Sequence, residues 1–230
     1  MSLDKRYELK FVLDSNELNC GLQWLYGQTH CTARYRPRAV YSLYFDNPRF
    51  QSAQDNLSGA PQRIKTRLRW YHDETNHPSA PVLEVKQRDG RLGAKRQYRF
   101  EYKAAPLQDL PIQDIPAAIR RDLGDDSEAR SLFDDALLPV LLVRYQREYY
   151  EDRAGLRVTL DRQINFHFAQ AYRTLAETTS VHYPLTIMEL KFPPTSKAPI
   201  SRQFRQLHLR PRRHSKYLTG LAIFGLVNYL

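Results

Sequence analysis

The alternation of apolar and polar residues predicts a chain built mainly from β-strands. In residues 5–13, Tyr7, Leu9 and Phe11 fall on one face, and charged residues occupy the other. Seven further segments show strand character: 39–46, 63–71, 80–88, 94–103, 137–151, 156–168 and 183–192. Helices are predicted to follow a cap at Asp14 or Ser15 and to span 115–123, 127–137, 201–209 and 215–226.

About eight strands with helices at the ends and in one insertion indicate an α+β fold. We expect a large antiparallel sheet, rolled into a β-barrel or tunnel, with flanking helices. No internal repeat, low-complexity tract or linker divides the 230 residues, so the sequence predicts a single domain over 1–230.

One strand carries an unusual charge pattern. In residues 63–71, the side chains of Arg63, Lys65, Arg67 and Arg69 share a face and lie about 7 Å apart along it. Such a row could be the solvated face of an open sheet, but a solvated face usually mixes small polar residues with charges. It could instead point inward at a polyanionic ligand, since guanidinium groups bind phosphate oxygens bidentately.

Other predicted strands repeat the pattern with Arg, Lys and a few carboxylates, which favours the polyanion interpretation. A divalent metal bound with the phosphates would explain scattered glutamates. Arg144 and Arg147 have opposite parity on their strand, and periodicity alone does not decide which of them points inward.

Composition agrees with an anionic partner. The formal net charge is +10 and the sequence pI is about 9.6, which suits nucleic acid, anionic lipid or a small polyanion. No nucleic-acid-binding motif is visible, so nucleic acid is disfavoured. No P-loop, GxSxG or HExxH motif occurs, and Cys20 and Cys31 form no metal or redox motif.

Location is predicted from the ends of the sequence. The first residues lack the apolar stretch of a signal peptide, and the final apolar run, 217–230, is short for a membrane span. We expect a soluble cytoplasmic protein without a transmembrane segment. Peripheral association with a membrane partner through basic patches stays open.

Several motifs, taken in order, resemble the VTC domain, the catalytic domain of polyphosphate polymerases in the triphosphate tunnel metalloenzyme superfamily. They are RYELKFVL, YFDN, KTRLRWY, LEVKQRDG, YQREYYE, RVTLDR, MELKF and SKYLTGL. The resemblance spans about residues 5–222. The resemblance implies a tunnel of antiparallel strands lined by basic residues. Eukaryotic members carry an inositol-phosphate-sensing domain and membrane helices, and we expect this chain to be closer to stand-alone bacterial members.

The resemblance also implies roles for individual residues. Catalytic neutralisation of the transferring phosphoryl group would fall to Arg67, Arg69, Lys86, Arg147 and Arg157. Further phosphate ligands would be Lys10, Arg88, Lys95, Lys191, Ser215 and Lys216. Glu189 would hold Mn²⁺ or Mg²⁺. By the same analogy Arg147 is chosen over Arg144, and Asp161 is expected to orient an arginine.

The implied activity is ATP-dependent synthesis of inorganic polyphosphate, with ATP and polyphosphate as partners. Two alternatives stay open at this point. The same tunnel could hydrolyse triphosphate or polyphosphate, or it could bind polyphosphate without turnover.

Overall fold

β-Strands dominate the fold, as the alternation predicts. The computed structural model describes residues 6–73, 75–90, 92–101, 105–125 and 127–229, and all structural statements below concern these residues. The strands are β1 (Tyr7–Leu13), β2 (Thr32–Asp46), β3 (Gln62–His72), β4 (Val82–Asp89), β5 (Leu92–Arg99), β6 (Leu138–Glu151), β7 (Arg157–Phe168), β8 (Ser180–Tyr183) and β9 (Thr186–Phe192).

Helices flank the strands. They are α1 (Ser15–Gln28), α2 (Gln51–Ser58), α3 (Ala105–Gln108), α4 (Ile115–Leu123), α5 (Ser127–Leu132), α6 (Lys197–Phe204) and α7 (Lys216–Ile223). Single 3-10 turns lie at Ile112–Asp114 and Pro194–Ser196.

The described strands form one antiparallel sheet in the order β1-β9-β7-β6-β2-β3-β4-β5, and β8 pairs with β7. This confirms the predicted α+β class and antiparallel sheet. The described sheet has nine strands rather than about eight, because Ser180–Tyr183 forms a short strand of its own. Its hydrogen-bonded order over the described residues is open rather than closed.

Several helices and strands begin or end at residues other than those predicted. Helix α4 has the predicted bounds, whereas α5 ends at Leu132, five residues early, and α6 begins four residues before the predicted 201. Strand β2 begins seven residues before the predicted 39. Residue 5 of the first predicted strand and residues 102–103 of the fifth lie outside the described residues.

The chain divides into two compact units. The first contains residues 1–39, 145–164 and 182–215, and the second contains 40–144, 165–181 and 216–230. A single domain over 1–230 stays a prediction.

In the first unit, α1 packs on one face of β1, β7 and β9. Asp14 caps the helix as predicted, because its side chain accepts hydrogen bonds from the backbone N–H groups of Asn16 and Glu17, each at 2.8 Å. The apolar face of these strands is buried together with the helix. Its buried members are Phe11, Leu13, Trp24, Leu25, Leu156, Val158, Leu160, Met188, Leu190, Phe192, Ile200 and Leu207. The opposite face of the strands is thereby left for polar residues.

In the second unit, the apolar face of β3 is buried from Thr66 to Trp70, whereas Ile64 near the start of the strand is 43% exposed. Leu68 and Trp70 are 0% and 1% exposed, and Trp70 stacks on Tyr41 of β2 with ring centroids 5.4 Å apart. The carboxylate of Asp46, at the end of β2, accepts hydrogen bonds from the Tyr217 hydroxyl at 2.5 Å and from backbone N–H groups of α2. These contacts fix α2 and α7 on the sheet.

Within the described residues, no helix combines the length and the apolar character needed to cross a bilayer.

Candidate functional site

The strands of the first unit carry one charged face. β9 pairs with β1 on one side and with β7 on the other, so directly opposed residues lie side by side on the same face. One row of this face contains Lys10, Glu189 and Thr159, and the next contains Glu8, Lys191 and Arg157. The structure therefore brings together four of the predicted site residues: Lys10, Arg157, Glu189 and Lys191.

Glu189 lies at the centre of this face and is only 9% exposed. Its carboxylate forms an ion pair with the Lys191 ammonium, and its Oε2 lies 3.7 Å from Lys10 Nζ. Lys10 Nζ also contacts Glu8 Oε1 at 2.9 Å. Burial raises the pKa of Glu189, but the Lys191 and Lys10 charges outweigh it and lower that pKa to about 2. Glu189 is therefore ionised at any physiological pH.

Arg147 and Asp161 form a buried pair on the first unit. Arg147 Nε and Nη2 donate to Asp161 Oδ1 and Oδ2 at 2.5 and 2.7 Å. Burial disfavours the charged guanidinium, but the Asp161 carboxylate more than compensates, so the pKa of Arg147 is raised above its ordinary value. Asp161 orients an arginine, as expected. Arg144 in the second unit is exposed and donates instead to the Tyr41 hydroxyl at 2.8 Å.

Arg157 lies near the edge of the first unit's charged face. Its side chain is 49% exposed, and Nε donates to Glu151 Oε1 at 3.0 Å. Arg34 also approaches the Glu151 carboxylate, at 3.7 Å. One carboxylate therefore accompanies two guanidinium groups at this edge.

The second unit carries a charged face with a larger excess of cations. The register of β3, β4 and β5 sets four rows on it. They contain Arg69, Val82 and Arg99; Arg67, Glu84 and Gln97; Lys65, Lys86 and Lys95; and Arg63, Arg88 and Gly93. These positions hold eight cations and one carboxylate, and one row consists of three lysines directly opposite one another. Like charges in such positions destabilise a sheet unless an anion lies between them.

Glu84 contacts cations from three of the four rows of this face: Arg67, Arg69 and Lys95. Arg67 donates to Glu84 Oε2 through Nε at 2.7 Å, and Lys95 Nζ donates to Oε1 at 2.6 Å. Gln97 adds a hydrogen bond at 2.8 Å. Burial raises the pKa of Glu84, but Arg67 and Arg69 lead the charges that push it well below its usual range. The carboxylate therefore holds these cations in place as a permanent anion.

On β3 and β4, the rows of Arg69 and Arg67 are more buried than those of Lys65 and Arg63, whereas Arg99, Gln97 and Lys95 on β5 are exposed. Arg69 is 9% exposed, and its Nε donates to Ser42 Oγ at 3.3 Å. Arg67 is half-buried beside the Tyr44 hydroxyl, whereas Lys86 and Arg88 are exposed. The structure thus places Arg67 and Arg69 together on the inner part of the face, with Lys86 and Arg88 on the outer part.

The predicted residues near the last helix are partly buried. α7 begins at Lys216, and Ser215 directly precedes it. The following residue, Tyr217, is buried, stacks on Tyr44 at 5.0 Å and binds Asp46. The motif SKY therefore anchors the helix through its tyrosine.

Residues 5–225 match the family model of the VTC domain. The chain belongs to this family. No curated protein gives a significant match to the chain.

Solved structures share the fold at low sequence identity. HpAC1 from Hippeastrum, named for a proposed adenylyl cyclase activity and described as having a dominant triphosphatase activity, is 16% identical with a TM-score of 0.55 and covers 95% of this chain and 96% of its own. A protein from Pyrococcus horikoshii OT3 is 12% identical with a TM-score of 0.54 and covers 96% and 99%. A third, from Bacillus halodurans and also named for a proposed adenylate cyclase activity, is 11% identical with a TM-score of 0.52 and covers 92% and 94%. The chain thus shares its fold with these three proteins.

The sequence resemblance implies a divalent metal ion, and the first unit offers carboxylates that could serve as ligands. Three or more His, Cys, Asp or Glu residues in a ligand cluster are not found within the described ranges. Glu8 and Glu189 nevertheless share a face and both contact Lys10. Mg²⁺ is usually bound by one or two carboxylates together with substrate phosphates, so this donor pair fits a metal that arrives with its substrate.

One set of basic residues lies on a strand that begins earlier than the sequence predicts. Because β2 starts at Thr32, it includes Arg34, Arg36 and Arg38, which alternate and therefore share a face. All three are exposed. The alternation is visible in the sequence, but Pro37 lies within it, and proline is uncommon inside strands.

Proposed function

We propose that this VTC domain is an ATP-dependent polyphosphate polymerase. A terminal phosphate oxygen of the growing chain attacks the γ-phosphorus of ATP. The new P–O bond extends the chain by one phosphate, the bond from the γ-phosphorus to the bridging oxygen breaks, and ADP leaves with that oxygen. No covalent enzyme intermediate is needed, so the protein contributes positioning and charge neutralisation.

The observation that carries the proposal is the cation excess on the second unit's charged face. The four rows of that face contain twelve positions. Eight of them hold Lys or Arg, and one holds the carboxylate of Glu84. A linear polyanion relieves the repulsion between opposed lysines and arginines. The family match over residues 5–225 supports the same substrate class.

Roles follow from burial and contacts within each unit. In the second unit, Arg67 and Arg69 are held by Glu84, Tyr44 and Ser42, and we assign them to the transferring phosphoryl group. Lys86 keeps its proposed catalytic role, with Arg88, Lys95 and Lys216 as phosphate ligands. In the first unit, Arg147 and Arg157 would neutralise charge, and Lys10, Lys191 and Ser215 would bind phosphate.

Glu189, together with Glu8, would hold Mn²⁺ or Mg²⁺ with the substrate. The metal, when bound, would neutralise phosphate oxygens. Lys10 and Lys191 contact the same two carboxylates in the structure, so these lysines hold Glu8 and Glu189 together on one face.

The test is to incubate the purified protein with ATP and Mn²⁺ or Mg²⁺ and to follow ADP and polyphosphate. Mid-chain phosphorus resonances and ADP should increase together. Arg67→Met and Arg69→Met should each reduce the rate by about 10²-fold or more, as loss of an oriented charge at a reacting phosphate does. Arg121→Gln, on an exposed side chain, is the matched control and should leave the rate unchanged. Release of orthophosphate without chain growth would contradict polymerase activity.

A second candidate is hydrolysis of triphosphate or polyphosphate, with water in place of the chain terminus. It is favoured by the triphosphatase activity described for HpAC1, which shares the fold. Orthophosphate released from tripolyphosphate in the absence of ATP would support this alternative. Tight polyphosphate binding with no turnover of either substrate would instead indicate a binding module.

A further inference from the structure

The end of the sequence carries most of the chain's net positive charge. Residues 190–230 contain eight Lys or Arg residues and no Asp or Glu, whereas the first 189 residues contain the other 27 cations and all 25 carboxylates. The last 41 residues therefore supply +8 of the net charge of +10. Such a bias is not needed for solubility and suggests a dedicated anionic partner.

Part of this segment supplies exposed cations on the first unit, a set that we call the basic edge. It comprises Lys197 and Arg202 on α6 and Arg205, Arg210 and Arg212 after it, all of which are exposed. Across the part of the chain that the structure describes, these five side chains make no ion pair within 4.0 Å. By contrast, six other described cations of the first unit lie beside carboxylates: Lys10, Arg34, Arg147, Arg157, Arg162 and Lys191.

The basic edge is held in place by the core rather than extending as a tail. Leu207 is buried, and Leu209 packs against the same apolar cluster. The Trp24 indole N–H donates to the Gln203 carbonyl at 3.0 Å. The cations are thus presented on an ordered surface, which lowers the entropic cost of binding a ligand.

The basic edge meets the first unit's charged face at Arg212. The Arg212 backbone N–H donates to the Lys10 carbonyl at 2.7 Å, and Lys10 Nζ donates to the His214 carbonyl at 3.3 Å. The His214 ring also stacks on Tyr183, with centroids 6.0 Å apart. Lys10 therefore links the edge to the Glu189 row.

We propose that the basic edge binds the part of a linear polyphosphate chain that extends beyond Lys10, so that long chains bind more tightly than short ones. The identity of the ligand rests on the proposed function. The edge itself is outside the residues assigned to catalysis or to binding near the reacting phosphates.

The surroundings of the edge favour an inorganic polyanion over a bilayer or nucleic acid. Ile200 and Leu207 are buried, and Phe204 stacks on Trp24 at 5.6 Å. These apolar side chains are therefore not presented for insertion into lipid or for stacking on bases. What the edge presents is arginine and lysine, which recognise phosphate oxygens directly.

The test compares the full chain with Arg205→Gln/Arg210→Gln/Arg212→Gln in binding to long-chain polyphosphate and to tripolyphosphate. Each exposed charge contributes up to about 1 kcal/mol, so long-chain affinity should fall about 10- to 100-fold. Tripolyphosphate affinity should stay constant. The dependence of long-chain affinity on salt should also become shallower, because fewer counterions are released.

The matched control is Arg121→Gln/Arg130→Gln/Arg153→Gln, which removes the same charge from exposed positions elsewhere. It should keep long-chain affinity. Equal losses in both triple variants would show that net charge alone acts and would overturn the proposal. So would a basic-edge variant that keeps polyphosphate binding but loses binding to phosphatidylserine vesicles or to oligo(dT).

Binding is measured without ATP, so the experiment tests the basic edge independently of polymerase activity. A wild-type chain that makes no polyphosphate, but loses long-chain binding in the basic-edge variant, supports the edge and contradicts the polymerase. A wild-type chain that makes polyphosphate, and whose basic-edge variant keeps full long-chain affinity, contradicts the edge alone.

Discussion

Replacing Asp161 with asparagine removes one negative charge from the interior of the first unit and changes the side-chain volume very little. Asp161 is 0% exposed and accepts two hydrogen bonds from Arg147 at 2.5 and 2.7 Å. The Arg147 side chain is 15% exposed, so water cannot replace the lost carboxylate. The variant would leave a guanidinium buried beside a neutral amide.

The expected cost follows from these contacts. A hydrogen bond to a charged group contributes about 1.5–3 kcal/mol, and the introduced amide keeps a single acceptor oxygen for Arg147. Removing one partner of a buried ion pair costs about 3–5 kcal/mol. We expect Asp161→Asn to lower the free energy of unfolding by about 3 kcal/mol at pH 7.

Urea unfolding followed by circular dichroism measures this change as a lower midpoint at constant m. Glu151→Gln is the matched control, because its partner Arg157 is 49% exposed and the pair should contribute only about 0–1 kcal/mol. Equal losses in the two variants would refute the reasoning. The double variant Arg147→Met/Asp161→Leu removes both charges of the pair. It should lower the free energy of unfolding by less than Asp161→Asn does, because no buried charge is left without a partner.

Two further predictions concern glycine and pH. A Cβ added to Gly220 would lie 2.5 Å from Leu141 Cδ2 and 2.7 Å from Phe166 Cδ1, so Gly220→Ala should destabilise by about 1–3 kcal/mol in thermal unfolding. A Cβ added to Gly27 in α1 would have no atom within 4 Å, so Gly27→Ala should stabilise the chain by about 0.5–1 kcal/mol. A Gly220→Ala variant more stable than Gly27→Ala would contradict the packing around Gly220. The pKa of Glu189 is about 2 in the folded chain against about 4.3 when unfolded, so its stabilisation is complete above about pH 5 and is lost as pH falls toward 2. Glu189→Gln should therefore be less stable than wild type at pH 7, with a difference that narrows below about pH 5; a constant difference down to pH 2 would contradict this.

Which residues share a face could be predicted from the sequence, because side chains alternate strictly along a strand. Lys10, Glu189 and Lys191 were expected on charged faces, and the structure places them on one. The same alternation put Arg63, Lys65, Arg67 and Arg69 on one face of their strand, and the family resemblance singled out Arg67 and Arg69. No long-range information is needed for such predictions, since the period of two is a property of the extended backbone.

Positions across strands could not be predicted in this way. Nothing in residues 63–71 indicates that Arg67 lies opposite Glu84, or that Lys65, Lys86 and Lys95 form one row. Register depends on hydrogen bonds and core packing between segments distant in sequence.

The choice between Arg144 and Arg147 shows the same limit. The two residues lie on opposite faces of their strand, and alternation alone does not show which face points inward. The family resemblance was needed to favour Arg147. In the structure, Asp161 on the neighbouring segment of the first unit pairs with Arg147, whereas Arg144 contacts Tyr41 in the second unit.

The sequence by itself therefore determined the β-rich α+β class, the charged face of each strand and the family motifs, because these depend on local periodicity and composition. Only the tertiary structure decided which cations meet which carboxylates, the extension of β2 across Pro37, and the place of Arg212 beside Lys10. These features depend on contacts between residues far apart in the chain, such as Lys10 and His214 with a separation of 204. Such contacts form only when burial of the shared core aligns the strands.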